Sequence, residues 1–441
     1  MADYYRTTYG SEERRQQKSV LGVFLDTLML VVTVVVAIVF IATLFVPRLD
    51  PRGWGEVTTL GLVAPFVYIA QVVVMLYWIM RWRMLIAVPM ILLSVAGLFS
   101  LSLFYKFEVR RSYGGKTYDR AALKIMTYNV RSFIDDNGER CIDSMLAIIK
   151  HQNPDVLCLQ EFGFREIVDS MLQPMYALPK AVSRSNLSPA IYSRYPIIKA
   201  QRIDSMKEVV WADIVVREDT FRVFNTHLHS TEIRRADNVY LENHEYLDDE
   251  GSEQHLRNMV RRLSENNKLR AEQVDTISQM IAASPYPTIV CGDFNDVPVS
   301  NTYRRMAHRL RDAFREQGRG YSYTYRGFFD MLRIDYVLSS RDFTTLSYDV
   351  IDSWGLELQK RRGGDTVVLR NFGTRLPVLG DGVRERLDEA TLSLYENDTL
   401  GLTMVYDTLT IIPYLCVCAM IKRLTNTNNY DTRFFEKQST L

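Results

Sequence analysis

The stretch "CGDFNDVP" (Cys291–Pro298) follows the apolar residues "TIV" and presents an acid and an amide, Asp293 and Asn295, where a buried strand should end. Other apolar, β-branched runs finish in the same manner. "ALKIMTYN" ends on Asn129, "DVLCLQE" on Glu161, "FRVFNTHLHS" reaches His227 and His229, and "RIDYVLSS" carries Asp335. Ligand sites of α/β sheets gather at the carboxyl ends of strands. Polar turns account for one such residue easily, but not for five on separate strands.

The set combines hard oxygen ligands, neutral amides and imidazole, and it has no thiolate cluster. Carboxylates with open water positions suit magnesium or manganese better than zinc. Magnesium keeps several waters and takes only one or two protein carboxylates, with a substrate phosphate completing its sphere. Glu161 is the expected metal ligand. Asp293 is placed to orient or deprotonate an attacking water, and Asn295 to hold that water or a phosphate oxygen. His227 would hydrogen-bond a non-bridging oxygen as negative charge develops. His229 is expected beside it, in a supporting place on the substrate-binding side.

These residues need a frame. After the polar linker "RRSYGGKTYDR" (Arg110–Arg120), strand and helix patterns alternate. "RCIDSMLAIIKHQ" sets Ile142, Met145, Leu146 and Ile149 on one helical face, between the strands that end at Asn129 and Glu161. That is a β-α-β unit, which requires a parallel pair and a right-handed crossover. "QHLRNMVRRLSENNKLRAEQVDTISQMIAAS" is a long amphipathic helix before the strand of Asp293. The charged run Arg234–Gln254 reads as a solvated loop.

The front of the chain is of another kind. Apolar runs at Leu21–Val46, Leu60–Met80 and Met84–Tyr105 are each long enough to cross a ~30 Å hydrocarbon core. Three transmembrane helices are therefore expected, with Asp26 near enough to one end to reach the interface. Arg6, Arg14, Arg15 and Lys18 before the first span, and Arg81 and Arg83 after the second, favour a cytoplasmic amino terminus. Basic residues on the opposite side equal them in number, and the first helix decides the orientation. The soluble domain is then extracytoplasmic.

Over all 441 residues the net charge is +1, which points to neither a basic nucleic-acid binder nor an acidic tail. Five cysteines are too few and scattered for a disulfide framework. Cys141, Cys158 and Cys291 read as buried thiols, and Cys416 with Cys418 as a lone C-x-C.

The stretches "KIMTYNVRSF", "PDVLCLQE", "FNTHLHS", "CGDFNDVP" and "RIDYVLSS", in this order, resemble the endonuclease/exonuclease/phosphatase family, which includes deoxyribonucleases and sphingomyelinases. The resemblance implies a four-layer α/β sandwich, two mixed β-sheets packed face to face and flanked by helices. It further implies Asn129 at the substrate phosphate, Glu161 on the metal and His227 stabilising the phosphate. Asp293 and Asn295 would handle the water, and Asp335 would orient a histidine from a later strand. That histidine is missing, since none follows His308. "FGTRLPV" puts Thr374 and Arg375 where Asp-His would stand, and "GGDTVVL" offers Asp365 without an imidazole. A frameshift, a degenerate member, or substitution by His229 or another residue would each explain the break.

The expected organisation is a cytoplasmic tail (1–19), a three-helix membrane region (20–105), a linker (106–120), a family-like domain (121–350) and a divergent segment (351–441). Within that last segment a fourth span is a further reading, over the apolar core that starts at Leu402. The expected activity is metal-dependent hydrolysis of a phosphodiester, in a lipid headgroup or a nucleic acid, beside the bilayer. The alternative is a membrane-tethered binding protein without turnover. Nothing in the sequence points to a protein partner.

Overall fold

The computed structural model describes residues 20–107, 123–134, 140–173, 175–177, 189–203, 206–231, 237, 240, 252–325, 331–351 and 366–371. Its front consists of helices α1 (Val20–Phe45), α2 (Pro51–Thr58), α3 (Leu60–Met80) and α4 (Met84–Leu101). Of these, α1, α3 and α4 are long and apolar enough to cross a membrane. Inside hydrocarbon each peptide group must bond within its own segment, so apolar runs of this length form helices. Close packing of α1 on α4 requires Gly97, where a Cβ would lie 2.4 Å from the Phe40 ring. Asp26 accepts from the Tyr77 hydroxyl (2.8 Å) and from Arg81 Nε (2.8 Å), so its charge is met at the turn between α3 and α4.

Helix α2 is not foreseen in the sequence reading. Asp50 caps it by accepting from Arg52 N (3.0 Å), and Pro51 opens its first turn. It packs on α7 (Ser252–Ala282), the long helix expected before Asp293. Gly55 permits that approach, because a Cβ there would meet Ser264 Oγ at 2.1 Å. Arg52 Nη1 also reaches Asp275 Oδ2 on α7 (2.8 Å). The Asn301 amide donates to the Pro47 carbonyl (3.2 Å). The amino-terminal helical region thus packs against the domain behind it.

That domain is built on two six-stranded sheets among the described residues. In spatial order the first runs β13 (Thr345–Ile351), β14 (Thr366–Asn371), β2 (Leu123–Asn129), β3 (Val156–Gln160), β5 (Ala190–Ser193) and β4 (Tyr176–Ala177). The second runs β10 (Arg311–Asp312), β12 (Asp335–Ser339), β9 (Thr288–Asp293), β8 (Asp219–His227), β7 (Met206–Val216) and β6 (Ile197–Ile203). A two-residue pair, β1 (Tyr105–Lys106) with β11 (Gly320–Tyr321), lies apart from both. Each large sheet has one parallel pair near its centre, β2 with β3 and β8 with β9. Helix α5 (Ile142–Gln152) crosses over between the first pair and α7 between the second. Such crossovers are what a parallel pair demands.

Side chains alternate along a strand, so one residue in two faces the opposite sheet. Ile125, Val156, Cys158, Val223, Ile289, Cys291 and Val337 meet in one buried cluster between the sheets. The other parity packs outward, Met126, Tyr128, Leu157 and Leu159 under α5 and α6 (Arg165–Met171), and Phe224, Val290 and Leu338 under α7. The architecture is the four-layer α/β sandwich with mixed sheets, behind three apolar helices. Cys141, Cys158 and Cys291 are buried free thiols, as expected.

Gly292 is the tightest point of the second sheet. Its φ is +131°, and a Cβ there would lie 1.9 Å from the Thr226 carbonyl oxygen. Gly292→Ala is expected to cost more than about 4 kcal/mol, because backbone rather than a flexible side chain must yield. The check is the melting temperature of the full chain in detergent.

Candidate active site

The parity that buries Ile125 and Cys291 also carries Thr127, Asn129, Gln160, Asn225, His227 and Asp293 on the inner face, stacked in two polar layers. The lower layer is sealed. Gln160 Nε2 donates to Thr127 Oγ1 (2.9 Å) and to Asn225 Oδ1 (2.6 Å). Asn225 Nδ2 donates across the sheets to the carbonyls of Leu159 (2.9 Å) and Ala190 (2.8 Å). Asn225→Ala would remove three of these buried bonds, those to Gln160 and to the Leu159 and Ala190 carbonyls, and leave Gln160 with Thr127. It is expected to destabilise the fold by about 2–4 kcal/mol, read from chemical denaturation of the purified chain.

Above it the strand ends meet. Asn129 Oδ1 accepts from Arg131 N (3.1 Å), which turns the amide nitrogen toward the acids. Asn129 Nδ2 then donates to Glu161 Oε1 (3.0 Å) and to Asp293 Oδ2 (3.1 Å). His227 Nε2 stands 3.6 Å from the same Glu161 oxygen. Register places His227 beside Asp293 in the parallel pair, and Asp335 opposite Asp293 in the antiparallel one. Four strands therefore deliver Asn129, His227, Asp293 and Asp335 to one rim, and Glu161 follows directly on the end of β3.

Asp335 arrives by a route the sequence reading did not anticipate. It opens its strand rather than closing it, because β12 runs antiparallel to β9. Its N–H donates to Thr324 Oγ1 (3.1 Å).

The backbone around the rim is bent into uncommon conformations. Arg131, Ser132, Phe133, Glu161 and Asn295 all have positive φ, between 42° and 56°. Ser132 N donates to the Glu161 carbonyl (2.8 Å), so the turns after β2 and β3 hold each other. Left-handed non-glycine residues cost free energy and cluster where a site demands a particular side-chain direction. Asn295 N donates to Asp293 Oδ1 (2.7 Å), and its side-chain Nδ2 donates to the Leu228 carbonyl (3.0 Å).

Burial pushes the Asp293 carboxyl above the usual carboxylate range, while His227, the Asn295 N–H and the Asn129 amide pull it back down. A carboxylate raised in this way is a stronger base than an ordinary exposed aspartate. Glu161 is more open, with its side chain 34% exposed. Among the described residues no three His, Cys, Asp or Glu side chains form a ligand cluster. An exposed carboxylate with a second acid nearby fits magnesium, which retains most of its waters, better than a closed zinc site.

His229 stands apart from this group. Its N–H donates to Gln273 Oε1 (2.8 Å), its Nε2 lies 3.2 Å from Asn266 Oδ1, and its carbonyl accepts from Arg270 Nη1 (2.8 Å). All three partners belong to α7, so His229 seats the turn after β8 on that helix. The sequence reading missed Arg270, a fully buried cation whose Nε is 3.6 Å from Asp296 Oδ2. One arginine among several in an amphipathic helix gives no sign of its burial.

Strand β14 pairs antiparallel with β2, with Thr366 opposite Tyr128. The chain therefore enters β14 at the rim that holds Asn129. Asp365, Thr374, Arg375 and the apolar stretch from Leu402 lie outside the described residues.

The model of the Endonuclease/Exonuclease/phosphatase family matches residues 126–381. The chain belongs to this family. A second family, described only as a domain of unknown function, matches residues 26–104 of this endonuclease/exonuclease/phosphatase-family protein. No curated protein matches it. Similar solved structures include an endonuclease/exonuclease/phosphatase from Bacteroides vulgatus, at 16% identity and TM-score 0.40, covering 58% of this chain and 100% of that one. A humanized D. rerio TDP2 follows at 14% identity and TM-score 0.39, covering 57% of this chain and 99% of that one. Beta toxin from Staphylococcus aureus has 17% identity and TM-score 0.38, with 56% and 99% covered. Members of the family are generally phosphoesterases and commonly use divalent metals.

Proposed function

We propose that this protein is a membrane-anchored phosphoesterase that hydrolyses a phosphodiester by attack of water, with magnesium or manganese as its cofactor. The observation that carries the reading is the Asn129 amide, which spans Glu161 (3.0 Å) and Asp293 (3.1 Å) and so holds two acids at one rim. A divalent cation at Glu161 would supply Lewis-acid polarisation of the phosphate. Asn129 keeps the acids in place with both of its amide hydrogens, and one of them would have to leave an acid to reach a phosphate oxygen. Asp293 aligns the water and takes its proton, and Asn295 fixes the turn that aims Asp293. His227 donates to a non-bridging oxygen as charge builds. Asp335 supports Asp293 from the neighbouring strand, and His229 supports the site through its seat on α7. The bilayer is the expected partner of the three apolar helices, with the domain on the extracytoplasmic side. A lipid headgroup and a nucleic acid both present the required diester.

One observation favours a second reading, a binding protein that retains the fold without turnover: the sequence has no histidine after His308. The full chain in detergent, assayed on bis(p-nitrophenyl) phosphate with magnesium, separates the two. Turnover that stops on chelation and returns with the metal supports the enzyme. Retained metal binding without turnover supports the binder.

A further inference from the structure

A buried polar chain runs from the membrane region to the loop that carries Asp293. Thr58, at the end of α2, donates to the Gly55 carbonyl (2.6 Å) and accepts from Asn267 Nδ2 (3.0 Å). Asn267 Oδ1 accepts in turn from Arg270 Nη2, one helical turn further along α7. Arg270 then donates to the His229 carbonyl (2.8 Å) and sets its Nε 3.6 Å from Asp296. All four side chains are buried, Thr58 at 6% exposure, Asn267 at 7%, Arg270 at 1% and Asp296 at 8%.

The same loop is gripped from its apolar side. Val297 and Val299 pack with Phe40, Leu62, Tyr68 and Phe104 of the membrane region. Gly61 at the head of α3 lies close beneath, where a Cβ would stand 3.3 Å from Val297 and 3.5 Å from the Val299 carbonyl. The residues straight after Asp293 and Asn295 thus sit between a buried guanidinium and the ends of the spanning helices.

Two buried acids, Asp293 and Asp296, lie three residues apart on this loop, and Arg270 is the buried cation that α7 presents to it. Burial pulls its guanidinium below the ordinary range, and Asp296 and Asp293 oppose that pull. A buried cation held against such a cost needs partners at fixed positions. Here the partners are the loop on one side and Asn267, backed by Thr58, on the other.

We propose that Arg270 is a positioning residue for the Asp293 loop, and that Thr58 and Asn267 make its placement depend on the membrane region. The anchor is then part of the scaffold of the active site, not a tether alone. The consequence for turnover rests on the phosphoesterase reading above; the consequence for loop order does not.

The test uses the full chain in phospholipid nanodiscs, with bis(p-nitrophenyl) phosphate and magnesium as probe, and amide hydrogen exchange over residues 293–299 as the second readout. Arg270→Met is expected to lower kcat about a hundredfold with KM within about threefold, since misplacing a reacting group acts on kcat. Arg270→Lys keeps the charge and is expected to recover about tenfold of that loss. Thr58→Val removes one hydroxyl from the far end of the chain. It is expected to lower kcat about threefold to tenfold and to speed exchange across 293–299. Arg261→Ala, on the exposed face of α7, changes neither. Wild-type kcat and exchange in Thr58→Val would overturn the dependence on the anchor. Equal loss in the Lys and Met variants, or a change in KM alone, would overturn the role of Arg270. If Arg270→Met does not fold, Thr58→Val still decides the coupling. If the wild type shows no turnover, the phosphoesterase reading fails, and exchange in Thr58→Val alone supports or overturns the link.

Discussion

Asp293→Asn is expected to lower kcat/KM by about a thousandfold, within the range for removal of a positioned general base. The substitution keeps the shape of the side chain and lets the Asn295 N–H retain its acceptor, now 2.7 Å from Asp293 Oδ1. What it removes is the basic oxygen at the rim and the acceptor for the Asn129 amide. A second consequence concerns stability without metal. Burial raises the Asp293 carboxyl above its unfolded value of 3.8. A group with a raised folded pKa contributes stability that is fully present below the unfolded pKa and is lost as pH rises through the folded one. The metal-free wild type should therefore melt at progressively lower temperature from about pH 4 upward on this account, and Asp293→Asn should lose that part of the pH dependence. Thermal melts across pH with chelator present, beside rate measurements with magnesium, check both halves. Equal turnover in the two proteins would remove the mechanism.

Glu161→Gln carries the second large effect, and it acts on the metal. Glutamine is isosteric, and its oxygen still accepts from Asn129 Nδ2, now at 3.0 Å from Glu161 Oε1. The negative charge is gone, and with it the carboxylate oxygen that stands 3.6 Å from His227 Nε2. Losing an outer-shell partner costs a metal site 10–100-fold, so losing a ligand carboxylate should weaken binding by at least about a hundredfold. Manganese titration followed by electron paramagnetic resonance measures this directly, without reference to turnover. Raising magnesium should recover part of the lost rate, which separates lost affinity from lost chemistry. Unchanged manganese affinity would take Glu161 out of the metal site and leave Asp293 and Asp335 as the carboxylates at the rim.

Much of the architecture was legible before any coordinates, for reasons that are local. The β-α-β pattern around "ALKIMTYN" and "DVLCLQE" appears as a parallel β2–β3 pair with α5 between. The three apolar runs appear as spanning-length helices. Asn129, His227 and Asp293 are the terminal residues of β2, β8 and β9, as the polar ends of those runs implied. Helix α2 was missed because its eight residues include two glycines and lie between much stronger apolar signals. Asp335 was expected at the rim, but its direction of entry depends on an antiparallel pairing that no local pattern announces.

By itself, the order of amino acids determined which runs are long and apolar enough to cross a membrane, and where the strands that lead to Asn129, Glu161, His227 and Asp293 end. Those properties follow from hydrophobic length and the two-residue period of a strand, and both act within a few residues of where they are read. Only the tertiary structure decided that Asn129 bonds both Glu161 and Asp293, that His229 turns away to α7, and that Arg270 lies buried beneath Asp296. Each depends on the register of one sheet over another, or of a helix against a loop, between residues far apart in the chain. Contacts of that range are selected by packing the whole core at once, so no stretch of sequence contains them.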